Sequence, residues 1–234
     1  MHYFYQDDIK ALTSSFELNI EEAHHLKNVL RLGVGSSVIV MNGKGLIFDA
    51  VVTESNKKKV FLECLNHKIQ DKAPYYLHLA IAPTKNMDRL SFLLEKATEI
   101  GVQEITFLST KHTERCHLRM DRLEKVVISA CKQSVNAYKP ILNELITFDD
   151  FIKKIDSNTI NCIAHCYESN KKTIDSLQQT DKYLICIGPE GDFSENEVAT
   201  AIDLKFIPIT LGNNRLRTET AGIVAVSQVA QMFI

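Results

Sequence analysis

Two stretches late in the sequence place glycine and charge where an apolar run ends. In Ile187-Gly188-Pro189-Glu190-Gly191 the run "YLICI" stops at a turn with two glycines, which let a backbone come close to a ligand, and Pro189 stiffens it. In Leu211-Gly212-Asn213-Asn214-Arg215-Leu216-Arg217-Thr218-Glu219 the run "FIPIT" stops in the same way, and an apolar helix follows. Ligands of open α/β sheets bind beyond the carboxyl ends of strands. Glu190 and Glu219 are carboxylates able to accept a proton. Thr218 reads as the helix N-cap, and Glu219 suits the positive helix end. Arg217 does not suit it, and a cation there points to an anionic partner or a ligand. A turn and a cap explain Thr218 and Glu219; they leave Arg217 unexplained.

A third stretch, 109–140, is locally basic. Lys111, Arg115, Arg119, Arg122 and Lys125 outnumber Glu114, Asp121 and Glu124, with His112 and His117 among them. This is either a phosphate-contacting patch or a solvated helix face of i,i+3 and i,i+4 pairs. Lys57-Lys58-Lys59 reads as a solvated hairpin tip. His24 and His25 fall on the first helix, and Arg31 faces either RNA or solvent. The six cysteines lie mostly in apolar runs and form no CxxC pair. Cys162, His165 and Cys166 in "INCIAHC" read as a buried strand, so no metal site is expected. Walker, GxGxxG, HExxH and GxSxG patterns are all absent.

The elements that must position these residues divide at a linker, 66–74. Before it the chain is β-rich with one helix, "NIEEAHHLKNVLRL", opened by an Asn19…Glu22 capping box. "SVIVMN", "GKG" and "LIFDAVVTES" form a hairpin, and "KKVFLECL" a third strand. From Tyr75, strands in "YYLHLAIAP", "QEITFLS", "NCIAHC", "YLICIGP" and "FIPITLG" alternate with helices at 87–100, 119–137, 148–155, 194–203 and 218–232. That is the α/β pattern, with a mostly parallel sheet buried on both faces. Two domains are expected, 1–72 and 73–234. The net charge of −2 does not advertise nucleic-acid binding, so RNA contact must use local patches. No apolar run is long enough to span a bilayer and the N-terminus lacks a signal-peptide profile; a cytoplasmic location with no membrane partner is expected.

"IGPEGDFSENEV" followed by "LGNNRLRTETA" resembles the paired C-terminal motifs of the 16S ribosomal RNA uracil-N3 methyltransferases, the RsmE family of the SPOUT superfamily. "HHLKNVLRLGVGSSV" is similar to that family's N-terminal RNA-binding segment. "KNMDRLSFLLEKATEIGV" is similar to its Lys…Glu-Lys-Ala-Thr-Glu-Leu-Gly-Val segment, on Lys85, Glu95, Lys96, Glu99 and Gly101. Three departures stand out. Asp192 replaces a usual glycine and Asn214 a usual arginine, and 132–136 lacks the usual Glu-Gln-Ser-x-Arg.

The resemblance implies a PUA-like β-barrel over 1–72, a SPOUT methyltransferase domain with a deep trefoil knot over 73–234, and a homodimer. It implies S-adenosylmethionine held by Ile187, Gly188, Pro189, Glu190, Gly191, Leu211, Gly212, Leu216, Arg217 and Thr218. The expected reaction methylates N3 of a uridine in 16S rRNA of the small ribosomal subunit. Arg217 is the candidate cation, and Glu219 or Glu190 the candidate carboxylate. RNA contacts are expected from His25, Arg31, Lys85, Arg115, Arg119 and Arg122. Two rivals stay open: a non-catalytic RNA-binding assembly factor that kept the fold, and a SPOUT methyltransferase acting on another rRNA or tRNA nucleotide.

Overall fold

The computed structural model describes residues 1–56, 59–155 and 158–234. The chain forms two units, Met1–Lys72 with Ile128–Lys139, and Ala73–Val127 with Pro140–Ile234. Lys57 and Lys58 of the lysine run lie outside the described residues; Lys59 pairs with Glu17 at 2.7 Å.

The first unit holds strands β1 (Tyr3–Tyr5), β2 (Ser15–Glu17), β3 (Ser37–Met41), β4 (Leu46–Ser55) and β5 (Val60–Ile69), and helix α1 (Ile20–His24). They form a five-stranded sheet in the order β1-β3-β4-β5-β2. β1 pairs parallel to β3, and the other ladders are antiparallel. Side chains alternate across a strand, so β3 serves two cores. Val38 and Val40 join Phe4, Leu26, Phe48 and Leu62 on one face. Ile39 and Met41 join Ile47 and Ala137 on the other. Covering that second face brings 128–139 back to this unit, where a single boundary at 72/73 was expected. The Ala137 amide donates to Gln70 Oε1 at 2.6 Å, and the Tyr138 hydroxyl donates to the Gln70 carbonyl at 2.9 Å.

Three local expectations change. β5 continues through Ile69, so 66–69 is strand rather than linker; its polar side chains hide a backbone ladder to 46–49. Asn19 caps α1 through Glu22 N at 3.0 Å, but the reciprocal half of the box is missing. Glu22 is buried and gives its carboxylate to Lys132 Nζ at 2.6 Å, because a buried charge needs a countercharge more than a cap does. Burial, partly offset by Lys132, pushes the Glu22 carboxyl above its ordinary range. After five residues α1 passes into a π turn over His25–Val29, so the expected long helix is interrupted.

The second unit carries β6 (Tyr76–Ile81), α2 (Met87–Ile100), β7 (Glu104–Ser109), the start of α3 (Met120–Ser134), β8 (Ile141–Thr147), α4 (Phe148–Ile152), β9 (Ile160–Ala164), β10 (Lys172–Thr173), β11 (Lys182–Ile187), α5 (Glu195–Asp203), β12 (Ile207–Thr210) and α6 (Thr218–Gln231). Its seven strands run in the order β10-β12-β9-β11-β6-β7-β8, and every ladder is parallel. Central strands are buried on both faces, as 183–187 and 79–81 show, which is why they read as unbroken apolar runs. The strand at 141–147 escaped the sequence reading because it is an edge strand carrying Asn143 and Glu144.

α2 starts at Asn86, whose side chain accepts from Asp88 N, and stops at Gly101, which takes the left-handed φ of 112°. It buries Leu90, Leu93, Leu94 and Ala97, the i, i+3, i+4, i+7 stripe. α6 lies close against it. A Cβ on Gly222 would sit 2.7 Å from Leu93 Cδ1 and 2.9 Å from Ile81 Cδ1, so this approach needs a residue without one. α5 has the full capping box between Ser194 and Glu197.

Candidate functional site

The order β12-β9-β11 brings three strand ends together although the strands are far apart in sequence. A cavity of about 670 Å³ opens beyond them. Its walls are 164–166 after β9, 187–190 with Asp192 after β11, and 209–218 after β12. Of the residues expected to hold a cofactor, Ile187, Gly188, Pro189, Glu190, Leu211, Gly212, Leu216, Arg217 and Thr218 line this one cavity. Gly191 does not line it; it is exposed and lies against His112. The β9 wall was missed. "INCIAHC" showed only a buried strand, and the rule that ligands lie beyond strand ends is the signal that would have added Ala164, His165 and Cys166.

Asp192 holds this arrangement together. It has φ 66°, a left-handed conformation that Asp tolerates better than most non-glycine residues. Its Oδ2 accepts from Cys166 N at 2.6 Å, and its own amide donates to the Pro189 carbonyl at 2.9 Å. A glycine could take the turn but not tie the β11 loop to the β9 end. His112 Nδ1 lies 3.0 Å from the Asp192 carbonyl, and an Arg215 guanidinium nitrogen donates to the Glu190 carbonyl at 3.3 Å. The departure at Asn214 leaves an uncharged side chain on the cavity wall while Arg215 crosses to the other loop.

At the mouth of α6 the N-cap is Arg217, not Thr218. Arg217 is extended, with φ −71° and ψ 155°, and makes no side-chain cap bond, while Thr218 is the first helical residue and is buried. Arg217 is exposed on the cavity. Glu219 is buried and does not line the cavity; its Oε1 lies 3.7 Å from Arg89 Nε, and its Oε2 has no hydrogen-bond partner among the described residues.

Arg89 borders a second cavity of about 680 Å³, together with Lys85, Asp88, Glu114, Arg115 and Glu190. Among the described residues Glu190 alone lines both cavities, and its Oε1 accepts from Lys85 N at 3.1 Å. The expected basic residues are partly committed. Lys85 Nζ pairs with Glu114 at 2.7 Å, and Arg119 pairs with Asp121 at 2.9 Å. Arg115 donates to the carbonyls of Thr84 and Lys85, bracing the entry to α2. Arg122 and Arg31 are exposed, and Arg31 has φ 55°. His25 is half-buried, its ring edge-on to Phe4 at 6.2 Å.

Cys131, Cys162 and Cys186 are buried, and burial pushes the Cys131 and Cys162 thiols up to about 12. Cys116 and Cys166 are exposed, against the general expectation of burial. Among the described residues no group of three or more His, Cys, Asp or Glu is placed to hold a metal ion, and no helix is long and apolar enough to cross a membrane.

Comparison with known proteins agrees with this layout. An RNA methyltransferase domain matches residues 71–230, and an RNA methyltransferase PUA domain matches 18–64. The ribosomal RNA small subunit methyltransferase E of Rickettsia conorii is 34% identical over 214 residues, 88% of this chain and 85% of that protein. A crystal structure of a "probable rRNA-methyltransferase" from Porphyromonas gingivalis superposes with a TM-score of 0.92 at 35% identity, covering 100% of this chain and 98% of the other. The ribosomal RNA small subunit methyltransferase E of Neisseria gonorrhoeae, bound to S-adenosyl methionine, superposes with a TM-score of 0.89 at 27% identity, covering 100% and 98%. Both superpositions run over nearly the full length of the two chains compared. The chain belongs to the RNA methyltransferase family, among the small-subunit ribosomal RNA methyltransferases E.

Proposed function

We propose that the protein methylates N3 of a uridine in 16S rRNA, with S-adenosylmethionine as the donor. The observation that carries this reading is the strand-end cavity, with Arg217 on its wall and Glu190 shared with the neighbouring cavity. Its size is in the range that encloses a small molecule. Its chemistry also suits the cofactor. Ile187, Ile209, Leu211, Leu216 and Ala221 offer apolar wall to a nucleoside, Lys171 and Arg215 offer charge to a carboxylate, and His165 has two buried ring nitrogens lacking a partner among the described residues. A cofactor bound there supplies a methyl group made electrophilic by its sulfonium.

Uracil N3 carries a proton at neutral pH, and that proton must leave as the methyl–nitrogen bond forms. Glu190, exposed between the two cavities, takes it. Arg217 faces the negative charge that develops on the base. Glu219 acts at one remove, by fixing Arg89 at the edge of the second cavity. Holding the base in line with the methyl group supplies much of the rate, and a base paired within rRNA must first be unstacked. Lys85, Arg119 and Arg122 meet phosphates, as do His25 and Arg31 of the PUA unit; Arg115 mainly shapes the loop.

The same reading includes a cytoplasmic homodimer, in which the half-exposed Ile223 and Val224 of α6 are available for association. It also includes a trefoil knot formed by the 187–192 and 210–217 loops. Incubating the protein with unmethylated small subunits and S-adenosylmethionine, followed by mass spectrometry of the digested 16S rRNA, tests the reaction. The expected product is 3-methyluridine at one position; an unmodified digest, or a methyl group on another base, rejects it.

A further inference from the structure

His165 ends the β9 wall of the cavity and is only 8% exposed. Among the described residues, neither Nδ1 nor Nε2 has a hydrogen-bond partner. Buried polar groups are nearly always paired, so two orphaned nitrogens on one ring ask for a ligand. The near neighbours do not supply one. The Asp192 carboxylate is spent on Cys166 N at 2.6 Å and Phe193 N at 2.8 Å. The Tyr167 hydroxyl donates to the Phe193 carbonyl at 2.8 Å, and its ring packs on the imidazole at 5.8 Å between centroids.

Burial, and then the charge of Lys171, hold this imidazole below the usual histidine range, against the opposing pull of Asp192. A neutral ring has one donor and one acceptor. Besides Arg217, the cavity already offers a carboxylate two cations, Lys171 and Arg215. A carboxylate buried against a neutral imidazole would lose more solvation than it regained. A hydroxyl has no such penalty, and it can rotate to donate or accept, so it satisfies either tautomer.

We propose that His165 binds the nucleoside half of the cofactor, through a ribose hydroxyl. The proposal rests on the cavity being the S-adenosylmethionine site. The test is calorimetry of the full chain with two probes. One is S-adenosylhomocysteine; the other is 5′-methylthioadenosine, which keeps the nucleoside and lacks the amino-acid tail. H165A should weaken both by the same factor, about ten-fold for one lost hydrogen bond. H165Q should recover part of that loss, and K171A should weaken S-adenosylhomocysteine alone. In the parent chain, the 15N imidazole resonances missing from the H165Q spectrum should shift when S-adenosylhomocysteine is added, a readout that a purely structural role would not move. Unchanged binding by H165A, a loss confined to S-adenosylhomocysteine, or resonances that do not shift would each overturn the proposal. A parent chain that binds neither probe overturns the cofactor reading itself.

Discussion

Glu219 Oε1 sits 3.7 Å from Arg89 Nε, joining the first turn of α6 to the first turn of α2. Glu219 is only 6% exposed, whereas the Arg89 side chain keeps 40% of its surface open. A buried carboxylate with one cation for company depends on that cation. Removing Arg89 alone should therefore cost about 1–3 kcal/mol, less than a fully buried pair because water can reach the site. R89A should lower the melting temperature, and R89A/E219Q should recover most of the loss. Additive losses in the double variant would mean that the two side chains are not coupled.

Arg217 is exposed and makes no cap bond, so its loss should leave folding intact. We expect R217A to cut kcat about 100-fold, the scale of losing one stabilising donor, with the melting temperature unchanged. Single-turnover methylation of small subunits reads this directly. A parental rate in R217A would remove it from the chemistry.

Asp192 makes a prediction that separates its two roles. D192N can keep the left-handed turn and an oxygen for Cys166 N, but its amide nitrogen cannot accept from Phe193 N, so it should lose part of what D192G loses. D192G keeps only the turn and should lose about 1 kcal/mol along with cofactor-site affinity. Thermal melts and S-adenosylhomocysteine titrations distinguish the two. If D192G equals the parent, the tie to β9 contributes nothing.

At Gly222 there is no room for a methyl group against Leu93 and Ile81. G222A should destabilise the protein by about 1–3 kcal/mol through overpacking, despite alanine's better helix propensity. A rise in melting temperature would show that α6 can shift without cost.

His78 offers a pH test. Its ring contacts Thr106 Oγ1 at 2.7 Å and meets Phe151 edge-on at 5.5 Å. Burial holds it below the usual histidine range, with Glu104 pulling the other way. The unfolded chain then binds a proton that the folded chain resists, so stability falls as pH drops below about 6.5 toward the depressed folded value. His165 contributes with the same sign. H78Q should flatten, without abolishing, the decline in melting temperature between pH 7.5 and 5.5. Parallel curves for H78Q and the parent would exclude His78 from it.

Much of this was legible because local chemistry and tertiary role agree. The parallel strands read as apolar runs since both their faces are buried, and the Ser194…Glu197 box forms as its spacing says. The misreadings share one cause. Asn143 and Glu144 belong to an edge strand, Asn66–Ile69 residues pair through backbone, and Glu22 leaves its cap for Lys132. In each case a partner distant in sequence outweighs the local preference.

By itself the sequence singled out the two glycine-bearing loops, with Arg217 and Glu190 on them, and the alternation that places those loops after parallel strands. Tertiary structure decided how they are arranged. Inserting β11 between β6 and β9 made the β9 end a third wall and brought His165 to it. Packing α6 onto α2 turned Glu219 away from the cavity toward Arg89. Strand order and helix packing depend on contacts between distant segments, and no short stretch of sequence contains both sides of such a contact.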